Sequence, residues 1–249
     1  MNKIEIKTIA SDNEKNKRND FFNLYENSPI PSNEVLANIG LFLKRQDLTK
    51  MLFFNDIYQK IINTHGIIME FGTRWGQNLV TLNNLRGIYE PYNHSRKIIG
   101  FDTFDGFLNL SEKDGEHSII KRGVFSVTEH YENYLAGVLK YHESECPLSH
   151  IDKNIILKGD APVLLNEYLI LHPETIIAFA YFDFDVYEPT KKCLELIKPY
   201  LTQGSILGFD EINDPHFPGE TIALKEVIGL NNVAIKRSKY SGIQSYIEL

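Results

Sequence analysis

One arrangement recurs along this chain: a short apolar run that closes on an acidic side chain, followed by a stretch of helical spacing. GIIMEF reaches Glu70, KIIGFD reaches Asp102, NIILKGD reaches Asp160, TIIAFAYFDFD reaches Asp183 and Asp185, and SILGFDEIN reaches Asp210 and Glu211. The runs are β-branched and too short for helices, so they read as buried strands. Between them, QNLVTLNNLRGIY, APVLLNEYLILH and EPTKKCLELIKPYL place apolar residues at helical intervals. Alternating strands and helices build a parallel sheet through right-handed crossovers. All strand C-termini then open on one edge, where ligands bind. The acids are expected to converge there.

The tail, NVAIKRSKYSGIQSYIEL, reads as two more strands around the turn KYSG, a hairpin on the sheet edge. The expected fold is therefore α/β, with a mostly parallel central sheet, an antiparallel C-terminal strand and helices on both faces. A chain of 249 residues accommodates one such domain plus an extension. Residues 1–65 are assigned to an N-terminal arm and helices, and residues 66–249 to the α/β domain. Up to about residue 32 the arm is polar and punctuated by SPIPS, so it is read as poorly ordered. Helices follow, with apolar faces at Val35, Leu36, Ile39 and Leu43 and at Leu52, Phe53, Ile57 and Ile61, and Gly66 as a C-cap. Residues 109–150 break the rhythm as a charged, histidine-bearing insertion with a helix in TEHYENYLAGVLKYH, placed to cover the sheet opening.

With 26 Lys and Arg against 33 Asp and Glu, the formal charge is −7, which argues against nucleic acid and anionic lipid as partners. Cys146 and Cys193 lie far apart without CxxC spacing, so neither a disulfide framework nor a thiolate metal site is expected. The polar N-terminus and the lack of a long apolar run indicate a cytoplasmic protein with no membrane span.

Glu70-Phe-Gly72-Thr73-Arg74-Trp-Gly76 follows a strand and opens a helix. Gly72 allows close backbone approach, and Gly76 keeps the helix start near a ligand. The spacing differs from the GxGxxG of nicotinamide binders and fits the first motif of adenosylmethionine enzymes. Asp102 can accept both hydroxyls of a ribose, or cap the next helix; Phe104 and Phe107 can flank an adenine, or be core. Asp160 can take an adenine amino group, or cap the helix at Ala161-Pro162. Asp183, Asp210 and Glu211 would repel unless protons or a divalent cation hold them together, and an all-oxygen set suits Mg²⁺. Otherwise one acid caps a helix and the others are solvated. Arg45, Arg74, Lys121 and Arg122 could meet a diphosphate or be solvated surface charges.

With these motifs in order, the chain resembles the class I S-adenosylmethionine-dependent methyltransferases of Rossmann-like fold. Within them it is similar to the metal-dependent macrocin- and mycinamicin-type sugar O-methyltransferases, and more loosely to the catechol group. The resemblance runs from about residue 45 to the C-terminus and rests on EFGTRWGQN, FDTFDGF, DFDVYEPT and GFDEIN followed by FPGETIALKEVIG. The family pattern D-G-D-x-Y-E-S-T is met by Asp183-Phe-Asp185-Val-Tyr187-Glu188-Pro189-Thr190. The resemblance implies S-adenosylmethionine as cofactor, contacted by Glu70, Gly72, Asp102 and Asp160, with Thr73, Arg74, Gly76, Thr103, Phe104, Gly159 and Asp183 on the same turns. It also implies Mg²⁺ on Asp183, Asp210 and Glu211.

Two departures stand out: Phe184 replaces a glycine, and Glu211 stands where an Asp or Asn is more usual. The catechol-type enzymes carry a lysine as base shortly after the first metal Asp, where this chain has Val186-Tyr187. Asp185 and His216 are the candidate bases here. The expected reaction is O-methylation of a sugar hydroxyl, on a nucleotide sugar, a surface polysaccharide or a glycosylated natural product. Asp183 and its neighbours would hold the cation that activates and aligns that hydroxyl. The alternatives are a cofactor-binding protein of the same fold without methyl transfer, or a nicotinamide-dependent dehydrogenase. The N-terminal helices are candidates for a homo-oligomer contact.

Overall fold

The computed structural model describes residues 10–108, 110–115 and 121–249. Residues 1–9 of the expected arm, and residues 109 and 116–120 of the expected insertion, lie outside the described residues.

Seven strands form one sheet: β1 (Ile67–Phe71), β2 (Ile98–Asp102), β3 (Asn154–Lys158), β4 (Ile177–Phe182), β5 (Leu201–Phe209), β6 (Lys236–Arg237) and β7 (Ser245–Glu248). Their order is β3-β2-β1-β4-β5-β7-β6. The first five are parallel, and β7 runs antiparallel to both β5 and β6, the expected terminal hairpin. Strand order reverses between β1 and β4, the position where an open α/β sheet leaves a crevice beyond its strand tips.

Register is held just beneath that crevice by four phenylalanines. Phe101, Phe71, Phe182 and Phe209 pair across adjacent strands and stack with centroids 5.0, 4.8 and 5.3 Å apart. A one-residue slip would turn these rings to the opposite face, so the ladder keeps Gly72, Asp102, Asp183 and Asp210 level at the sheet edge.

Helices α6 (Ala161–Leu171), α7 (Tyr187–Ile197) and α8 (Gly219–Val227) cover the face that carries the ladder. The opposite face packs Ile68, Phe179, Tyr181 and Ile206 under α3 (Arg45–Ile61), α4 (Gln77–Tyr89) and α5 (Tyr131–Ser144). Strand alternation sets Glu70 on this second side, with Ile68. The helix expected inside the insertion is α5; it is the crossover from β2 to β3 and belongs to the sheet's regular βα rhythm.

The described residues divide into two compact units between Thr49 and Lys50, inside α3. In the first unit, α1 (Asp12–Glu26) replaces much of the expected disorder. Ser11 and Glu14 form a capping box, with the Ser11 amide donating to Glu14 Oε2 at 2.8 Å, a start signal that the polar composition obscured. Next comes α2 (Ser32–Val35), and Leu36–Leu41 then tightens into a 3₁₀ turn broken at Asn38. Val35, Leu36, Ile39 and Leu43 are not buried, whereas Phe53, Ile57 and Ile61 in the second unit are. Gly66, expected to cap a helix, follows a helix that ends at Ile61, and leads into β1. Among the described residues no helix is long and apolar enough to cross a membrane, and both cysteines are unbonded.

Candidate active site

The turn after β1 is built for close approach. Gly72 has φ +96°, and a Cβ there would stand 2.0 Å from the Asp183 carbonyl oxygen, so only glycine lets the β1 and β4 tips meet. Gly76, φ +78°, caps α4, and its missing Cβ leaves room for Leu135 of α5. Glu70 is fully buried, and neither carboxylate oxygen has a hydrogen-bond partner. Burial, first of all, pushes its pKa up to about 8. Thr73 is buried as well, its hydroxyl unpartnered.

Asp102 ends β2 and uses both oxygens on the chain itself. Oδ2 accepts from the Arg74 amide at 2.7 Å and Oδ1 from the Phe104 amide at 2.5 Å. Burial raises its pKa against those two amides. Arg74 and Phe104 both take positive φ, 46° and 60°, which turns their amides onto this carboxylate. Thr103 is spent inside its turn, donating to the Gly106 carbonyl at 2.9 Å and accepting from the Asp105 amide. Phe104, read as a possible adenine flank, is buried in the core under α3, α4 and α5. Phe125 lies edge-on to Phe107 at 5.4 Å and carries the Arg74 guanidinium 4.6 Å above its centroid. Gly159 donates its amide to the Asp102 carbonyl, and exposed Asp160 caps α6 by accepting from the Val163 amide.

At the tips of β4 and β5, one oxygen from each of Asp183, Asp185 and Glu211 falls within 4.8 Å of the others. Asp185, with φ 62°, is turned back into this group. Asp210, which the motif pattern made a ligand, stands outside it. Its Oδ1 accepts from the Tyr181 hydroxyl at 2.5 Å and the Gln244 amide at 2.9 Å, and Lys50 Nζ lies 3.2 Å away. His216 is exposed in the loop before α8 and is not a member of the group either. Lys121 and Arg122 are exposed.

Two residues to which the sequence had given no role organise these acids. Lys50, in the second turn of α3, places its ammonium 2.9 Å from Asp183 Oδ2 as well as beside Asp210. Burial would lower its pKa, but the two carboxylates outweigh that and raise it. Glu220, fully buried at the start of α8, accepts the amides of Phe184 and Asp185 on Oε1 and that of Glu211 on Oε2. It ties the two acid-bearing loops together. Phe184 is accommodated because its ring packs 5.7 Å from Phe71 while its amide serves Glu220.

The electrostatics divide the cluster. Burial and then Asp210 raise Asp183 to about 7, and Glu211 and Asp185 are also raised, first by burial. Asp210 stays low despite burial, because Lys50, Tyr181 and Gln244 favour its ionised form. Without an added cation, protons must settle on some of these carboxylates.

No protein-family model matches the chain, and no curated protein matches it. Among solved structures, the calicheamicin methyltransferase CalS11 superposes with TM-score 0.93 at 40% identity, covering 97% of this chain and 94% of CalS11. The chain belongs to the CalS11 family of O-methyltransferases. A second structure of CalS11, described as a TDP-rhamnose 3'-O-methyltransferase of calicheamicin biosynthesis, matches with TM-score 0.84 at 38% identity over 97% and 96% of the two chains. The O-methyltransferase NovP shares the fold, with TM-score 0.58 at 16% identity over 80% of this chain and 79% of NovP. This O-methyltransferase thus has the class I fold that the strand-and-acid rhythm indicated, and S-adenosylmethionine is the methyl donor of that class.

Proposed function

We propose that this methyltransferase moves the methyl group of S-adenosylmethionine to a hydroxyl of a nucleotide-linked sugar, with a divalent cation of the Mg²⁺ kind at the β4 and β5 tips. The observation that carries the reading is the trio Asp183, Asp185 and Glu211 at the sheet edge beside the Gly72 turn, in a chain 40% identical to CalS11. The donor set fits a hard cation. It is all oxygen, and Glu211 Oε2 is buried without a partner. The cofactor side fits too, since Glu70 offers two orphaned oxygens to an ammonium group and Gly72 leaves the approach open.

In this reading Glu70 takes the amino group of the methionyl end, and Asp102 the ribose hydroxyls, through lone pairs that the Arg74 and Phe104 amides leave over. Phe125 and Phe107 face the base. A divalent cation bound here would stabilise negative charge on the acceptor oxygen. Asp183 and Glu211 would hold that cation, Glu220 fixes their loops, and Asp185, within the same group of oxygens, would receive the hydroxyl proton.

The test is transfer of label from S-[methyl-³H]adenosylmethionine to a panel of TDP-sugars, with Mg²⁺ or with EDTA. Label in a sugar hydroxyl, lost in EDTA, supports the reading. Undiminished transfer in EDTA overturns the cation, and transfer only to acceptors that carry no sugar overturns the substrate class.

A further inference from the structure

The acid cluster already contains a cation of its own. Lys50 Nζ sits 2.9 Å from Asp183 Oδ2 and 3.2 Å from Asp210 Oδ1, with its side chain 23% exposed and its ammonium 5.7 Å from the Tyr181 ring centroid. It arrives from a helix 133 residues before Asp183 in sequence. Four carboxylates, those of Asp183, Asp185, Asp210 and Glu211, crowd the two strand tips, and among the described residues Lys50 is the ammonium that pairs with two of them, Asp183 and Asp210. A carboxylate oxygen already bonded to an ammonium is a weaker ligand. A divalent ion on Asp183 would also stand within a few ångströms of a like charge, where repulsion is strong at a partly buried site.

We propose that Lys50 is the resident counter-ion of the site, holding Asp183 and Asp210 in place before the divalent cation arrives and giving up Asp183 when it binds. Cation loading is then an exchange of one positive group for another, so Lys50 lowers the site's affinity for divalent ions while stabilising the ion-free protein. The same exchange frees an ammonium at the mouth of the crevice, available to an anionic acceptor. The inference rests on the divalent-cation reading above.

The experiment is calorimetric titration of MnCl₂ into wild-type protein and Lys50→Gln, together with melting curves in EDTA and in Mg²⁺. Lys50→Gln is expected to bind Mn²⁺ about tenfold more tightly, the scale of one close like charge removed. It should melt below wild type in EDTA and recover most of that difference in Mg²⁺. Equal or weaker Mn²⁺ binding by a folded Lys50→Gln overturns the exchange while leaving the cation reading intact. Absence of Mn²⁺ binding in both proteins overturns the cation reading and the exchange with it. Wild-type protein gives a second readout that needs no variant: acetic anhydride labelling followed by mass spectrometry. Labelling of the Lys50 amine should rise severalfold when Mg²⁺ is added; labelling unchanged under saturating Mn²⁺ or Mg²⁺ overturns the exchange.

Discussion

The Phe71 and Phe182 rings stack 4.8 Å apart at 24° across β1 and β4, and one residue beyond them Gly72 and Asp183 meet so closely that no Cβ fits between. An apolar contact in the core thus sets the geometry of the polar edge. Phe71→Ala is expected to cost about 3–5 kcal/mol of folding stability, the range for a fully buried phenylalanine. It should also weaken S-adenosylhomocysteine binding, because the glycine turn rides on that ring. Urea unfolding and calorimetry check the two effects.

Gly72→Ala tests the turn itself. The added Cβ meets main-chain oxygen, which cannot swing aside as a side chain can, and φ +96° is strained for alanine. A stability loss of about 2–4 kcal/mol is expected, with cofactor binding abolished in whatever protein folds. A Gly72→Ala protein of wild-type stability and affinity would show that the β1 and β4 tips are further apart than described.

Glu220→Gln tests the tie between the acid-bearing loops. An amide side chain keeps one acceptor oxygen, so the Glu211 amide, or those of Phe184 and Asp185, loses its partner in a buried place. The expected cost is about 1–3 kcal/mol in urea unfolding, with methyl transfer falling more than cofactor affinity.

Glu70 predicts a pH dependence. Its folded pKa of about 8 lies above the ordinary 4.5 because burial penalises the charge. Below pH 4.5 both folded and unfolded chains carry the proton. Between 4.5 and about 8 the folded chain keeps it and the unfolded chain has lost it, so stability falls as pH rises through that window. Urea unfolding from pH 5 to 8.5 should show a decline that is shallower in Glu70→Gln, by up to about 1.4 kcal/mol per pH unit. A ligand ammonium that pairs with Glu70 should expel this proton. Binding of S-adenosylhomocysteine at pH 7 is therefore expected to release a proton in wild type and none in Glu70→Gln, read from calorimetry in buffers of different ionisation enthalpy.

What was legible in the sequence was whatever repeats locally. The apolar runs ending in Glu70, Asp102, Asp183 and Asp210 gave the strands, their direction and the edge where the acids meet. The residues that arrange those acids carry no local mark. Lys50 lies in an amphipathic helix like any solvated lysine, Glu220 opens a helix where an acid is ordinary, and Gln244 and Tyr181 reach Asp210 only through the folded sheet. The same gap explains Asp210 and Asp185. The resemblance implied a ligand role for Asp210, whose Oδ1 is engaged by Tyr181, Gln244 and Lys50, and the positive φ of Asp185, a candidate base, brings it among the clustered oxygens.

If one sheet edge holds methyl donor and cation on different strand tips, as proposed, Glu211→Gln is the variant that separates the two. Glutamine matches the shape of Glu211 and removes its charge, leaving Glu70, Gly72 and Asp102 untouched. Paired calorimetric titrations of S-adenosylhomocysteine and MnCl₂ should show nucleoside affinity within about threefold of wild type, since the tips bind separately, and Mn²⁺ affinity lower by at least about tenfold. Mn²⁺ affinity equal to wild type, or loss of both ligands together, would contradict the claim.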